Sequence, residues 1–293
     1  MCGIAGVLSS GRIDPLAVQR MVTTLRHRGP DDEGIWLDPE TGIALGHRRL
    51  SIIDLSAAGH QPMVSQSGRY VLTFNGEIYN HAALRAELEN ERSSGWRGHS
   101  DTETLLEAIA SWGLTKALRR SVGMFALGLW DRQDRKLFLA RDRFGEKPLY
   151  YGRAGKAFVF ASELKAIRAH PEFTGTIDRD ALRIFAARGY IPAPRSIFQE
   201  ISKLEPGTIL TVDGGKEQYW SYKEVVESGL ANPLPNEEAA RRELESALIA
   251  AIQGQSIADV PVGVFLSGGI DSSTIAALWR KHSPRELRTY SMG

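Results

Sequence analysis

Few stretches of this 293-residue chain could do chemistry, and the first lies at its start. Cys2 is the only cysteine and stands directly behind Met1. Cysteine is small, so an aminopeptidase that trims Met1 would leave the thiol beside a free α-amine. Such an amine has a pKa of about 7.7–8 and can take a proton near neutral pH. Nucleophile and base would then come from one residue. The competing reading is a small hydrophobe buried with the strand-like run Ile4–Leu8. Cys2 by itself leaves both open.

A second set falls between residues 48 and 101. Arg48 and Arg49 in GHRRLSIID offer planar guanidinium groups suited to clamping a carboxylate. Asn75 and Gly76 in FNGEIYN offer a side-chain amide and a backbone N–H that could stabilise a tetrahedral oxyanion. Glu77 offers a carboxylate to an ammonium group, and Asp101 in SDTETLLEAI lies just ahead of a helix. Singly, each has an ordinary reading: a solvated arginine, a hairpin turn at Asn75-Gly76, a helix-capping aspartate. Together they match a free α-amino acid carrying a side-chain amide.

The third stretch is SGGIDSS, Ser267–Ser273. It joins the apolar run Val260–Leu266 to a helix expected to begin near Asp271. Gly268 and Gly269 let the backbone approach a ligand, and loop N–H groups with a helix N-terminus can cradle an anion. Ser267, Ser272 and Ser273 add hydroxyl donors. GxxxxGK[ST] is absent, so this is no Walker loop. It reads as a loop for the leaving pyrophosphate of ATP, with Asp271 placed to help hold Mg²⁺.

The elements that must position these groups follow from pattern. Asp14 caps and Pro15 opens a helix whose apolar face is Leu16, Val18, Met21, Val22 and Leu25, with Gly29 as its stop. Strands are expected at Ile43–Ile53 and Tyr70–Asn75, and helices at His81–Glu91 and Thr102–Trp112. Four strand-like runs follow: MFALGLWD, KLFLARD, PLYYGR and AFVFAS. Proline-rich texture from Tyr190 to about Pro235 reads as a connector. Beyond it come a helix at Glu237–Gln253 and the strand, glycine loop and helix of the third stretch. This order predicts layered α+β architecture.

Composition narrows the classes. A net charge of +1 gives no general attraction to nucleic acid or anionic membranes. No apolar run approaches the roughly 20 residues of a membrane span, and the start lacks a signal-peptide pattern. One cysteine excludes an internal disulfide framework, and the seven histidines are scattered. A cytoplasmic protein is expected, without nucleic-acid or membrane partners; a homodimer is allowed.

MCGIAGV, RHRGPDDEG, HRRLSIIDLS, GHQPM, FNGEIYN, SDTETLL, GMFALGLWD, ARDRFGEKPLYY and FASELKAI closely resemble class II glutamine amidotransferase domains. YIPAPRSIF, KLEPGT and VPVGVFLSGGIDSS resemble the continuation in glutamine-hydrolysing asparagine synthetases. The resemblance covers essentially the whole chain. It implies a four-layer α/β/β/α N-terminal-nucleophile sandwich over residues 2–205, a connector over 206–235, and the truncated start of an α/β ATP-binding synthetase domain over 236–293. It implies Cys2 as nucleophile, with Asn75 and Gly76 as oxyanion hole. Arg49 would grip the glutamine α-carboxylate beside Leu50, Ile52 and Ile53, with Arg48 a lesser contributor. Glu77 and Asp101 would hold the α-amino group. ATP would contact Leu266, Ser267, Gly268, Gly269, Asp271, Ser272, Ser273 and Met292. The implied reaction joins glutamine hydrolysis to amidation of aspartate through an acyl-adenylate, this chain keeping the glutaminase half. Another carboxylate, such as a sugar acid or secondary metabolite, is the alternative acceptor.

Overall fold

The computed structural model describes residues 1–9, 11, 14–91, 95–283 and 286–291. Its first compact unit runs Met1–Tyr222 and is built on two six-stranded antiparallel sheets. The first sheet contains β1 (Gly3–Leu8), β2 (Asp32–Asp38), β3 (Ile43–Arg49), β8 (Tyr150–Ala154), β9 (Ala157–Ala161) and β10 (Ile201–Lys203), in the order β10-β8-β9-β1-β3-β2. The second contains β4 (Met63–Val64), β5 (Tyr70–Ile78), β6 (Gly123–Asp131), β7 (Lys136–Arg141), β11 (Thr208–Thr211) and β12 (Gly215–Gln218), in the order β12-β11-β7-β6-β5-β4.

Strand alternation assigns each apolar residue to one of three layers of core. Ile4, Ile43, Leu45, Val71, Trp130, Leu139 and Phe160 fill the space between the sheets. Ala5, Val7 and Ala44 face the other way, onto Val18, Met21 and Val22 of α1 (Pro15–Thr23) and Ala166 and Ile167 of α5 (Leu164–Arg168). Leu72, Phe74 and Ile78 meet α2 (His81–Glu91), α3 (Asp101–Trp112) and α4 (Leu114–Arg120) on the far side of the second sheet. Three buried interfaces between helices, sheet, sheet and helices make the expected α/β/β/α sandwich.

The same parity places the polar residues. Thr73 donates across the gap to the Gly46 carbonyl at 3.0 Å, and His47 bonds the Phe74 carbonyl at 3.0 Å. Residues 47 and 49 on β3, and 73, 75 and 77 on β5, therefore share the inter-sheet side. Burial holds His47 far below the usual histidine range, at about 3, so it bridges the sheets as a neutral donor.

Several local expectations change. The strand expected to reach Ile53 stops at Arg49. Leu50 turns away to meet Cys2, and Asp54 takes a left-handed φ of 59°. Asn75-Gly76 is no hairpin turn; both lie inside the nine-residue β5. The helix begun by Pro15 ends at Thr23, and turns carry the chain on to Gly29. Residues 206–222, expected as connector, belong to the first unit: β11 pairs with β7, and Tyr219 donates to the Arg141 carbonyl at 2.9 Å. Proline and glycine there punctuate β11 and the edge strand β12.

The second unit, Lys223–Gly293, carries most of α7 (Tyr222–Ala231), then α8 (Glu237–Gln255), β13 (Gly263–Phe265), α9 (Ile270–His282) and β14 (Arg288–Tyr290). β13 and β14 pair in parallel, so α9 is the crossover of a βαβ unit. Phe265, Ile270 and Leu230 are exposed there, while Trp279 is buried. Among the described residues no helix is long and apolar enough to cross a membrane.

Candidate active site

Where the inner faces of the two sheets open at one end of the sandwich lies a cavity of about 130 Å³. Cys2, Arg49, Leu50, Ile52, Ile53, Asn75, Gly76, Glu77 and Asp101, all expected from sequence, line it. Arg48 does not. It points to the opposite face of β3, where it pairs with Glu33 and donates to the Val22 carbonyl at 3.4 Å.

Position 2 continues the alternation of β1 on the side of Ile4, facing the second sheet. The Cys2 sulfur receives the Leu50 N–H at 3.4 Å and approaches the Leu50 carbonyl at 3.6 Å. Arg28 donates from Nε to the Cys2 carbonyl at 2.8 Å and is itself fixed by Glu163 at 2.9 Å. Burial would raise the Glu163 carboxyl, but hydrogen bonds from Arg28, Lys165 and His27 hold it at about 2. Burial pushes the Cys2 thiol up, outweighing the Leu50 N–H and the positive chain start. The thiol is therefore neutral at rest and needs a base to become a nucleophile.

Arg49 is 7% exposed. Its guanidinium donates to the carbonyls of Ser56 at 3.1 Å, Ile53 at 3.3 Å and Asp54. These are uncharged acceptors, so the positive charge is available to an anion in the cavity. Asp54 shapes the loop that supplies them. Its carboxylate accepts from Ser56 N at 3.1 Å, Ser56 Oγ at 2.5 Å and His99 N at 2.8 Å. Gly59 completes the seat: a Cβ there would lie 1.8 Å from Arg49 Nη2.

Asn75 is 1% exposed, and its Nδ2 has no hydrogen-bond partner. Buried amide donors are nearly always paired, and an orphan costs about 1–3 kcal/mol. The donors beside it have partners. Phe74 N–H goes to Gln61 Oε1 at 2.7 Å, and Ile78 N–H to Asp101 Oδ2 at 2.8 Å. Gly76 lies midway between Phe74 and Ile78, so its N–H leaves the same edge of β5, away from β6. Amide and N–H both belong to residues that line the cavity.

Two carboxylates close the site. Asp101 is the first residue of α3; the cap is Ser100, whose Oγ accepts from Glu103 N at 3.1 Å. Burial raises Asp101 to about 6, against hydrogen bonds from Ile78 and Thr102. Burial also raises Glu77, opposed by the charges of Lys147 and the chain start. An arriving ammonium would favour the carboxylate form of both. Gln61, Gly59, Asp54 and Lys147 have no role that the sequence motifs assign. GHQPM and ARDRFGEKPLYY held the signal, but nothing local shows which of their residues turn inward.

In the second unit, Ser267–Ser273 spans the turn from β13 to α9. Gly268 has φ 80°, the left-handed region that favours glycine. Ser272 Oγ accepts from Ser267 N at 3.3 Å and donates to the Gly269 carbonyl at 3.2 Å. Gly269 caps α9 without a side-chain hydrogen bond, so the helix start presents backbone N–H groups. Asp271 and Ser273 lie in the exposed first turn, and Leu266 N–H bonds the Tyr290 carbonyl at 2.8 Å. The residues fit a phosphate group. Asp271 is a single exposed carboxylate, and no metal-binding cluster occurs among the described residues. It could hold Mg²⁺ only together with phosphate oxygens. Met292 lies outside the described residues.

Two stacked antiparallel sheets between layers of helices, with the Cys2 cavity at the mouth of the gap, define a four-layer α/β/β/α sandwich. The solved glutamine phosphoribosylpyrophosphate amidotransferase from B. subtilis shares that fold, with a TM-score of 0.56 and 20% identity over 99% of this chain and 65% of that one. The chain belongs to the family described as "Glutamine amidotransferase domain", matched over residues 1–223, and residues 243–293 match "Asparagine synthase". A putative glutamine-hydrolysing asparagine synthetase 2 of Methanocaldococcus jannaschii is 35% identical over all of this chain and 60% of its own length. Asparagine synthetase 3 of Bacillus subtilis is 36% identical over all of this chain and 48% of its own length. The chain thus spans about half the length of the curated relatives it matches.

Proposed function

We propose that the first unit hydrolyses glutamine to glutamate and ammonia at Cys2. The observation that carries this reading is the buried, unpartnered Asn75 amide in the same cavity as the thiol, Arg49 and two carboxylates. Removal of Met1 exposes the Cys2 α-amine. The amine takes the thiol proton as sulfur attacks the side-chain amide carbon of glutamine. The oxyanion forms against Asn75 Nδ2 and the Gly76 N–H. Collapse breaks the C–N bond, and ammonia leaves with the proton returned by the amine. Water, deprotonated by the same amine, then cleaves the thioester to release glutamate and the thiol. Arg49 holds the α-carboxylate, while Glu77 and Asp101 hold the α-ammonium. A glutaminase assay on the purified, Met1-processed chain tests the reading; ammonia released at the background rate refutes it.

Arg49→Ala should mainly raise the glutamine KM. Losing a buried charge-assisted carboxylate contact costs about 2–5 kcal/mol, roughly 30-fold or more in affinity. Gly59→Ala should move the same parameter in the same direction, because it displaces the guanidinium without removing it. Unchanged KM in both variants would place the carboxylate elsewhere.

The names of the relatives and the loop at Ser267 support a second half-reaction in a protein carrying a complete synthetase domain. ATP would convert the aspartate β-carboxylate to an acyl-adenylate, and ammonia would displace AMP to give asparagine. Ser267–Ser273 would hold the pyrophosphate, with Asp271 binding Mg²⁺ against it. In such a protein Asp271→Ala should depress AMP and pyrophosphate formation while leaving glutamine hydrolysis intact. ADP as the main product would refute the pyrophosphate loop.

A further inference from the structure

Lys147 is the buried charge of the cavity that the proposed reaction leaves unused. It is 6% exposed, and it lines the space together with Met1, Cys2 and Glu77. Its backbone is fixed on both sides. Asp142 Oδ2 accepts from Lys147 N at 3.0 Å and from Phe125 N on β6 at 3.1 Å, and Arg141 Nε donates to the Lys147 carbonyl at 2.7 Å. Asp142 Oδ1 also takes the N–H groups of Phe144 and Glu146, at 3.0 and 2.9 Å. The turn between β7 and β8 is thus clamped so that residue 147 enters the site. Burying an ammonium is costly, and an apolar side chain would fill the space at less cost.

We propose that Lys147 is the positioning charge of this cavity, keeping Glu77 ionised and the Cys2 α-amine unprotonated until glutamine arrives. This rests on the glutaminase reading above. A positive charge favours a neighbouring carboxylate and disfavours a neighbouring ammonium, so one side chain serves both groups. The Met1 ammonium, which stands one residue ahead of the processed amine, is depressed by burial. Arg28 and Lys147 lower it further, while Cys2 and Glu77 oppose them. The Lys147 ammonium is itself depressed by burial, with Glu77, Glu146 and Asp142 supporting its charge and Arg28 opposing it. Arg49 from β3 and Asp101 from α3 complete the charged wall.

The test compares glutamine hydrolysis by wild type, Lys147→Met, Lys147→Gln and Lys147→Arg across roughly pH 5–9. Without the positive charge both the amine and Glu77 take up protons at higher pH. The acid limb of kcat/KM should therefore move up by about one pH unit in the Met and Gln variants, and return in the Arg variant. The rate of Cys2 alkylation by iodoacetamide, followed on unliganded protein, should show the same displacement. A profile that is unmoved, or lowered equally at every pH, overturns the proposal. If wild type fails to hydrolyse glutamine, and glutamine fails to protect Cys2 from alkylation, the underlying reading falls instead.

Discussion

Cys2→Ala should bring glutamine hydrolysis down to the assay floor, because losing a catalytic nucleophile costs on the order of 10⁶ in turnover. Little else in the cavity can substitute. Cys2 is the only thiol of the chain. The neighbouring groups are an arginine, carboxylates, amides and a lysine, each already assigned to charge or hydrogen bonding. Glutamine binding should survive, since Arg49, Glu77 and Asp101 stand on β3, β5 and α3 and do not depend on the sulfur for their positions. Calorimetry with glutamine on the alanine variant separates the two. Binding without hydrolysis is the expected result, and robust hydrolysis would remove Cys2 from the mechanism. Retention of Met1 should mimic the mutation, because it converts the α-amine into an amide that cannot take the thiol proton. Mass spectrometry of the active preparation should accordingly find Cys2 as the first residue.

Asn75→Ala should act on turnover, by about 10²–10³-fold, with little change in KM. An oxyanion donor meets its strongest partner only in the transition state, so its loss raises the barrier without weakening the ground state. The fold should tolerate the change. Nδ2 has no partner to lose, and removing an unsatisfied buried donor relieves a cost. A thermal midpoint at or above that of wild type, together with the fall in kcat, would identify the amide as strain held for function. A rise in KM with kcat unchanged would make Asn75 a substrate clamp instead.

Local pattern exposes some of this design and conceals the rest. β5 is readable because Val71, Thr73, Asn75 and Glu77 alternate with apolar residues that α3 must cover. SDTE announces the start of α3, though the cap is Ser100, which frees the Asp101 carboxylate for Ile78 N–H. β2 is not readable, since DEGIWLD carries charges at both ends and a glycine inside; pairing with β3 makes it a strand. Helix α6 (Arg179–Arg188) is equally hard to read from local pattern, although Asp178 caps it.

Short-range features are legible in the chain alone: a thiol next to the chain start, amide and carboxylate two residues apart on one strand face, and a glycine turn opening α9. These depend on spacing along the chain. Tertiary structure decided which arginine serves the cavity, since Arg48 and Arg49 differ only in the side of β3 they occupy, and that side is fixed by the neighbouring layers. It also decided that Asp54 and Gly59 seat Arg49, that β11 and β12 within residues 206–222 join the second sheet, and that Lys147 is buried in the same cavity as Cys2. Cys2 and Lys147 are far apart in sequence, and only the stacking of two sheets brings their ends together. Such contacts follow from burial and register across the whole sandwich, and no local window of residues encodes them.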